Sequence, residues 1–270
     1  MVTFRDFSNA LRRLEIDPAR PIIAHASLSA FGEVHGGVDT LLGALLMSFN
    51  TLVMPVFTYK TMLTPPVGPP GNGISYGSGQ DANLLAEIFR PEMPADRLMG
   101  CVPERLRHHP QAQRSCHPIL SFTGVNAGEI LAAQTLEHPL DPIGVLLEAQ
   151  GWVLLLGVDH TVNTSIHYAE KLAGRKQFIR WALTAEGVVA CPGWPGCSLG
   201  FQAIAPQLEQ VTRWVEVGAT QIQALPLAAL IETARALIAE DPQALLCGRE
   251  DCERCQAVRQ SLLPAAQVGE

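Results

Sequence analysis

No basic face long enough to follow a nucleic-acid backbone runs through this chain: the formal net charge is −7 and the basic runs are as short as Arg12-Arg13. Nucleic acid is therefore not an expected partner. Nor do about 18 uncharged apolar residues run together anywhere, so no membrane span and no membrane partner are expected. The opening residues, MVTFRDFSNALRRLEI, scatter charges where a signal peptide needs a continuous apolar stretch, and the expected location is the cytoplasm. The zinc-protease pattern HExxH, the dinucleotide pattern GxGxxG and the phosphate loop GxxxxGK[ST] are also missing. Hydride transfer and nucleotide hydrolysis by the common folds lose most of their support with them.

What is present is an ordinary globular composition. The 270 residues are 47% hydrophobic and 17% charged, enough for one large packed domain, 1–270, without an external staple. The seven cysteines, at 101, 116, 191, 197, 247, 252 and 255, form an odd set in a chain too large to need disulfides, so reduced thiols are expected. A homodimer is a possible assembly.

Periodicity gives the fold class. Thr3 can cap a first helix with Phe4, Phe7, Leu11 and Leu14 on one face, ended by Asp17-Pro18. The apolar segment 21–24 is followed by the polar loop His25-Ala26-Ser27-Leu28-Ser29 and then Gly36-Gly37. From Val38, apolar residues at 38, 41, 42, 45, 46 and 49 trace the face of a buried helix, and a strand at 51–54 stops at Pro55. Strand, loop, helix, strand is the unit that builds a largely parallel sheet covered by helices. Further strands are expected at 120–125, 152–157, 178–183 and 213–217, and helices at 142–149, 165–173 and 227–240. The run Trp152–Gly157 is apolar on both faces and should be central. The stretch 57–83, rich in Pro, Gly, Ser and Thr, is too long for a simple connection; it reads as a substrate-covering loop or as a tolerated surface insertion.

Ligands in open α/β sheets gather beyond the carboxyl ends of strands. Past Trp152–Gly157, the segment GVDHTVNTSIHYAE (157–170) concentrates two histidines, two carboxylates and several hydroxyl and amide groups. With a helix starting near Ser165, Glu170 lies three residues beyond His167 on the same face, so a carboxylate can hold one imidazole nitrogen while the other points at substrate. That suits a general base, although His-x-x-Glu alone is also met on solvated or packed helices.

The string VNTSIHYAE after WVLLLGVDH resembles the "vLLlGvgH … nTslHlaE" pattern of the aminoglycoside 3-N-acetyltransferases. HASLSAFGEVHGGVDTLLGALL resembles their N-terminal "HsSLsslG-v-GG" segment, TLVMPVFTY their "TLvMPtfTy", RSCHPILSFTGVNA their "RS-HP--Sf---G--A", and GCSLGF (196–201) also fits. Together these cover roughly residues 20–205, in the family's order. The resemblance implies a three-layer α/β/α sandwich with a mixed, largely parallel central sheet. It also implies acetyl transfer from acetyl-CoA, as co-substrate, to an amine of an aminoglycoside, the 3-amino group, through a ternary complex without an acyl-enzyme.

An ammonium is no nucleophile, so a base must take its proton, and an imidazole titrating near ambient pH does so efficiently. His167 is the expected base. Glu170 would fix its tautomer and stabilise the imidazolium, and Thr164 would either hydrogen-bond the thioester oxygen or cap the helix. Ser27, Leu28 and Ser29 are expected to offer donors to the CoA arm, or else to satisfy their own backbone. Ala26 stands where relatives commonly have Ser. His25, His117, Asp159 and His160 are candidate substrate-binding residues; His25 and His117 equally suit structural roles, bonding backbone or turning the chain at His117-Pro118.

Cys247, Cys252 and Cys255 are spaced to bind zinc, but a fourth ligand is required and the sequence does not point to one among Cys191, Cys197, a distant His or water. Unliganded thiols and no metal are the expectation there, with Cys197 a small buried apolar residue. Two alternatives stay open: a biosynthetic N-acyltransferase acting on another small amine, decided by the 57–83 loop with Asp81 its only carboxylate, or a non-catalytic binding protein. Binding alone would not need a base beside a carboxylate.

Overall fold

The computed structural model describes residues 1–263; the end of the expected 1–270 domain, residues 264–270, lies outside the described residues. Its strands are β1 (Ile22–Ala26), β2 (Leu52–Pro55), β3 (Met62–Leu63), β4 (Ala112–Arg114), β5 (Phe122–Val125), β6 (Trp152–Leu156), β7 (Phe178–Thr184), β8 (Gly187–Trp194), β9 (Arg213–Val217) and β10 (Thr220–Pro226). Seven form one sheet in the order β4-β5-β2-β1-β6-β10-β9, and the other three form a second sheet, β3-β7-β8.

The main sheet is mixed, but it is parallel only at its centre. β1 runs parallel to both β2 and β6, while β5, β4, β10 and β9 join antiparallel. The expectation of a largely parallel sheet therefore holds for three strands and fails for the outer four. β9 and β10 explain the difference: they are joined by the tight turn Gly218-Ala219, with Gly218 at φ 59°, and a connection that short can only return the chain antiparallel.

Alternation along the central strands sorts side chains to two faces. Ile22, Ala24, Leu52, Met54, Leu154 and Leu156 pack on one side with Phe7, Leu11, Leu41 and Leu45, from the helices Phe4–Arg13 and Gly37–Ser48. Ile23, Val53, Val153 and Leu155 pack on the other with Ile143, Ile166, Leu230 and Ala234, from the helices Asp141–Glu148, Ser165–Leu172 and Leu227–Glu240. This is the three-layer arrangement. Each of these aliphatic strand residues is fully buried, worth roughly 1.5–3 kcal/mol apiece for the larger ones. Thr3 caps the first helix as expected, its hydroxyl accepting from Asp6 N while Asp6 accepts from Thr3 N at 2.8 Å.

The small sheet shares the second core, since Phe178, Ala182, Cys191 and Trp194 lie in it beside Ile23 and Val53. The 57–83 stretch is partly built onto this sheet. Asn72 is buried, its side chain bonding both N and O of Ile179, and Arg180 donates to the carbonyls of Asn72 and Gly73. No helix among the described residues is long and apolar enough to cross a membrane.

Candidate active site

Because β1 and β6 are parallel neighbours with Ala26 opposite Leu156, their carboxyl ends open at the same edge. Ser27 N donates to Leu156 O at 2.9 Å, which pins the loop after β1 beside the end of β6. Gly157 then turns the chain at φ 67°; a Cβ there would meet Ala30 Cβ at 2.7 Å, so the close approach of the two loops depends on a residue without a side chain. A cavity of about 770 Å³ opens at this edge, with His25, Ser27, Leu28, Ser29, Phe57, Tyr59, Thr164, His167, Trp194 and Arg254 in its wall.

His167 lies in the first turn of the helix Ser165–Leu172, as its position in the sequence predicts. It is 9% exposed, and its Nδ1 stands 2.7 Å from Glu170 Oε2. Among the described residues Nε2 has no partner in the protein, leaving that nitrogen for the cavity. Phe201 packs edge-on against the imidazole at 4.7 Å between centroids and restricts its rotation. Glu170 is 1% exposed, and a carboxylate so buried needs a cation. Arg175 supplies it, donating from Nη1 to Glu170 Oε1 at 2.8 Å and from Nη2 to the carbonyls of Pro242 and Ala244. The sequence reading missed Arg175; the one available signal was that a buried Glu170 demands a nearby positive charge.

Thr164 occupies the N-cap position but makes no side-chain cap bond, and its residue lines the cavity. Ser27 and Ser29 hydroxyls lie 3.2 Å apart at the cavity wall. His25 also lines it, with Nε2 buried and unpaired; burial, with His160 nearby, holds its imidazole down to about 3.

Three other candidates are not brought to the cavity. His117 accepts at Nδ1 from the N–H groups of Ile119 and Leu120, so it closes the turn into β5, and burial lowers its pKa to about 4. His160 packs beneath the loop against Asn163, its pKa lowered to about 4 by burial. Asp159 caps the short turn His160–Val162 by accepting from Thr161 N at 2.9 Å. Of the 57–83 stretch only Phe57 and Tyr59 line the cavity. The Tyr59 hydroxyl is pushed up to about 12 by burial and the Asp96 charge. The letters Gly73-Ile74-Ser75-Tyr76-Gly77 spell the serine-hydrolase pattern GxSxG, yet the segment is an exposed turn that neither leaves a strand nor enters a helix. Ser75 donates to Glu253 away from the cavity.

The two chemical roles thus converge on one space: a polar loop with exposed donors on one wall and an imidazole backed by a buried carboxylate on another. A family model described as aminoglycoside 3-N-acetyltransferase matches residues 23–239. This chain belongs to the aminoglycoside 3-N-acetyltransferase family. Among curated relatives it is 32% identical to aminoglycoside N(3)-acetyltransferase IX of Micromonospora chalcea over 194 residues, covering 67% of this chain and 66% of that one. It is 30% identical to the SPbeta prophage-derived aminoglycoside N(3')-acetyltransferase-like protein YokD of Bacillus subtilis over 184 residues, covering 62% and 64%. The matched region spans just under two thirds of those relatives' lengths.

In three dimensions the fold is that of the family. The aminoglycoside acetyltransferase AAC(3)-IVa apoenzyme superposes with a TM-score of 0.78 at 24% identity, over 96% of this chain and 97% of its own. AAC-IIIb, solved as a binary complex with CoASH, gives a TM-score of 0.71 at 22% identity, over 88% and 96%.

A second cluster lies behind the cavity wall. Cys197 joins Cys247, Cys252 and Cys255, with one sulfur from each within 4.8 Å of the others. The sequence left this set one ligand short; the fold brings the fourth from fifty residues upstream.

Proposed function

We propose that this chain transfers an acetyl group from acetyl-CoA to an amine of an aminoglycoside, the 3-amino group, with His167 as general base. One observation carries the reading: in a member of this family, the imidazole paired with Glu170 and the 27–29 loop face a single cavity.

The acceptor ammonium first gives up a proton to water, and the neutral amine attacks the thioester carbonyl carbon of acetyl-CoA. As the C–N bond forms, His167 Nε2 takes the second proton from the amine nitrogen, while Nδ1–H stays bonded to Glu170. The imidazolium is then held between the carboxylate and the departing group; hydrogen bonds to ionised partners are the strong ones. Collapse of the tetrahedral intermediate breaks the C–S bond, and the CoA thiolate takes the proton back from Nε2. Charge thus develops on the former carbonyl oxygen and on the imidazole. Thr164, which lines the cavity, would donate its hydroxyl to that oxygen, and Ser27, Leu28 and Ser29 would offer hydroxyl and backbone donors to the CoA arm. Arg175 takes no proton; it holds the Glu170 carboxylate in place through its bond to Oε1.

A second reading keeps the acyl donor and changes the acceptor to another small amine. It is favoured by the cavity wall itself, which contains Arg254 and no Asp or Glu among the described residues, whereas a polycation is best received by carboxylates. Thiol release from acetyl-CoA, measured against a panel of aminoglycosides and against simple neutral and anionic amines, separates the two. Turnover with an aminoglycoside supports the first reading. Turnover only with non-cationic acceptors supports the second, and no turnover with any amine removes both.

A further inference from the structure

We infer that Cys197, Cys247, Cys252 and Cys255 form a structural zinc site that fastens the helix Glu253–Ser261 to the wall of the acceptor cavity. The thiols come from three separate places: Cys197 from the loop after β8, Cys247 from the segment after the helix Leu227–Glu240, and Cys252 and Cys255 from the N-cap and first turn of Glu253–Ser261. A Cys-x2-Cys pair at a helix start is a common half of a tetrahedral thiolate site. Zn–S bonds of ~2.3 Å imply S···S edges of about 3.8 Å in a tetrahedron. The four sulfurs here lie within 4.8 Å of one another, with Cys247 and Cys255 at 3.4 Å, so they bracket that edge without rearrangement of the chain.

Two further observations point to an ion rather than to packing. Cys197, Cys247 and Cys255 are buried in a small cluster made of thiols rather than aliphatics, with Leu246 and Cys252 packed against it, while Ala257 and Val258 of the same helix join the main core. Guanidinium groups also stand beside the thiols: Arg254 lines a small cavity with Cys197 and Cys252, where Arg249 is paired with Asp251 and Glu253 is a further carboxylate, and Arg259 donates to Cys247 O at 2.7 Å. A tetrathiolate around Zn²⁺ carries a net double negative charge, and these guanidinium groups offset it. No side of the cluster is open to a substrate in the main cavity, and four protein thiolates leave no coordination position for water, which makes the role structural.

Gly196 and Ser198, on either side of Cys197, line the acceptor cavity, as does Arg254 between Cys252 and Cys255. Arg254 donates to Gly196 O at 2.9 Å, tying the two ligand-bearing segments directly. The ion would therefore fix Arg254, which among the described residues is the cavity's one cationic side chain besides its histidines.

Elemental analysis of the purified full chain is the direct test, with one zinc per chain expected. Cobalt substitution should give thiolate-to-metal charge-transfer bands and the intense d–d bands of a tetrahedral site. Cys255→Ser should lose both, while Cys116→Ser, at an exposed thiol elsewhere, keeps them. Of the seven cysteines, the exposed Cys101 and Cys116 should react in the native protein, and a chelator should add the four cluster thiols while the core residue Cys191 stays protected. Zinc far below one per chain, with the four cluster thiols as reactive without chelator as with it, would overturn the assignment. So would iron at one per chain, or four of the thiols recovered as two disulfides.

Discussion

Replacing Glu170 by Gln isolates what the buried carboxylate does for His167. The substitution keeps the volume and one acceptor oxygen but removes the charge facing Nδ1 at 2.7 Å. A hydrogen bond to a charged group contributes about 1.5–3 kcal/mol, and in the mechanism above its full strength is reached only when the imidazolium forms. At about 1.4 kcal/mol per decade, kcat should fall roughly ten- to hundred-fold, with smaller changes in either KM. Stability should fall as well, because Arg175, whose side chain is 3% exposed, is left as an unpaired buried cation. Breaking one side of such a pair costs about 3–5 kcal/mol. The double variant Glu170→Gln/Arg175→Met separates the effects: it should recover much of the lost Tm and none of the lost kcat. The assay is steady-state thiol release at saturating acetyl-CoA and acceptor, with Tm measured on the same preparations. A single variant whose kcat stays within about twofold of the parent would refute the reasoning, as would a double variant that regains kcat together with Tm.

Acid should destabilise the fold through its buried histidines. His25, His117 and His160 have native pKa values lowered from 6.5 to about 3, about 4 and about 4, chiefly by burial. Between those values the unfolded chain binds more protons than the native one, so the stability present above pH 6.5 is lost as pH falls toward 4. Calorimetric Tm should drop across that window, and His117→Asn, whose oxygen can accept the same two backbone bonds, should flatten the drop; an unchanged slope would exclude His117 as a contributor. Gly157→Ala should raise the KM for acetyl-CoA, because the added methyl meets Ala30 Cβ at 2.7 Å and Ser27 O at 3.2 Å and must displace the donor loop; an unchanged KM would detach that loop from CoA binding. Intact-mass analysis after incubation with acetyl-CoA alone should show no acetylated protein, whereas a stable adduct would replace direct transfer with a covalent route.

The elements legible in the sequence were those with strong local pattern. The apolar run Trp152–Leu156, the capped helix at Thr3 and the helices near 165 and 227 follow from periodicity and end signals alone. His167 and Glu170 were legible because their partnership is local, three residues along one helix. Arg175 was not: it lies past the helix end at Gly174, and its importance comes from the burial of Glu170, which only packing decides. The same holds for Cys197, separated by fifty residues from the thiols it joins. The antiparallel outer strands escaped because the short polar-alternating segment Arg213–Val217 says where a strand lies and not which neighbour it meets. His117 stayed open between two roles for a related reason: a histidine in a family motif reads alike whether it faces substrate or, as here, accepts two backbone bonds in a turn.

The central claim is that His167 removes the proton from the attacking amine. The most direct test is kcat for His167→Ala at saturating acetyl-CoA and saturating acceptor, compared with the parent protein on the same acceptor. The account predicts a loss of ~10²-fold or more with little change in the KM for acetyl-CoA; equal kcat values for the two proteins would contradict it.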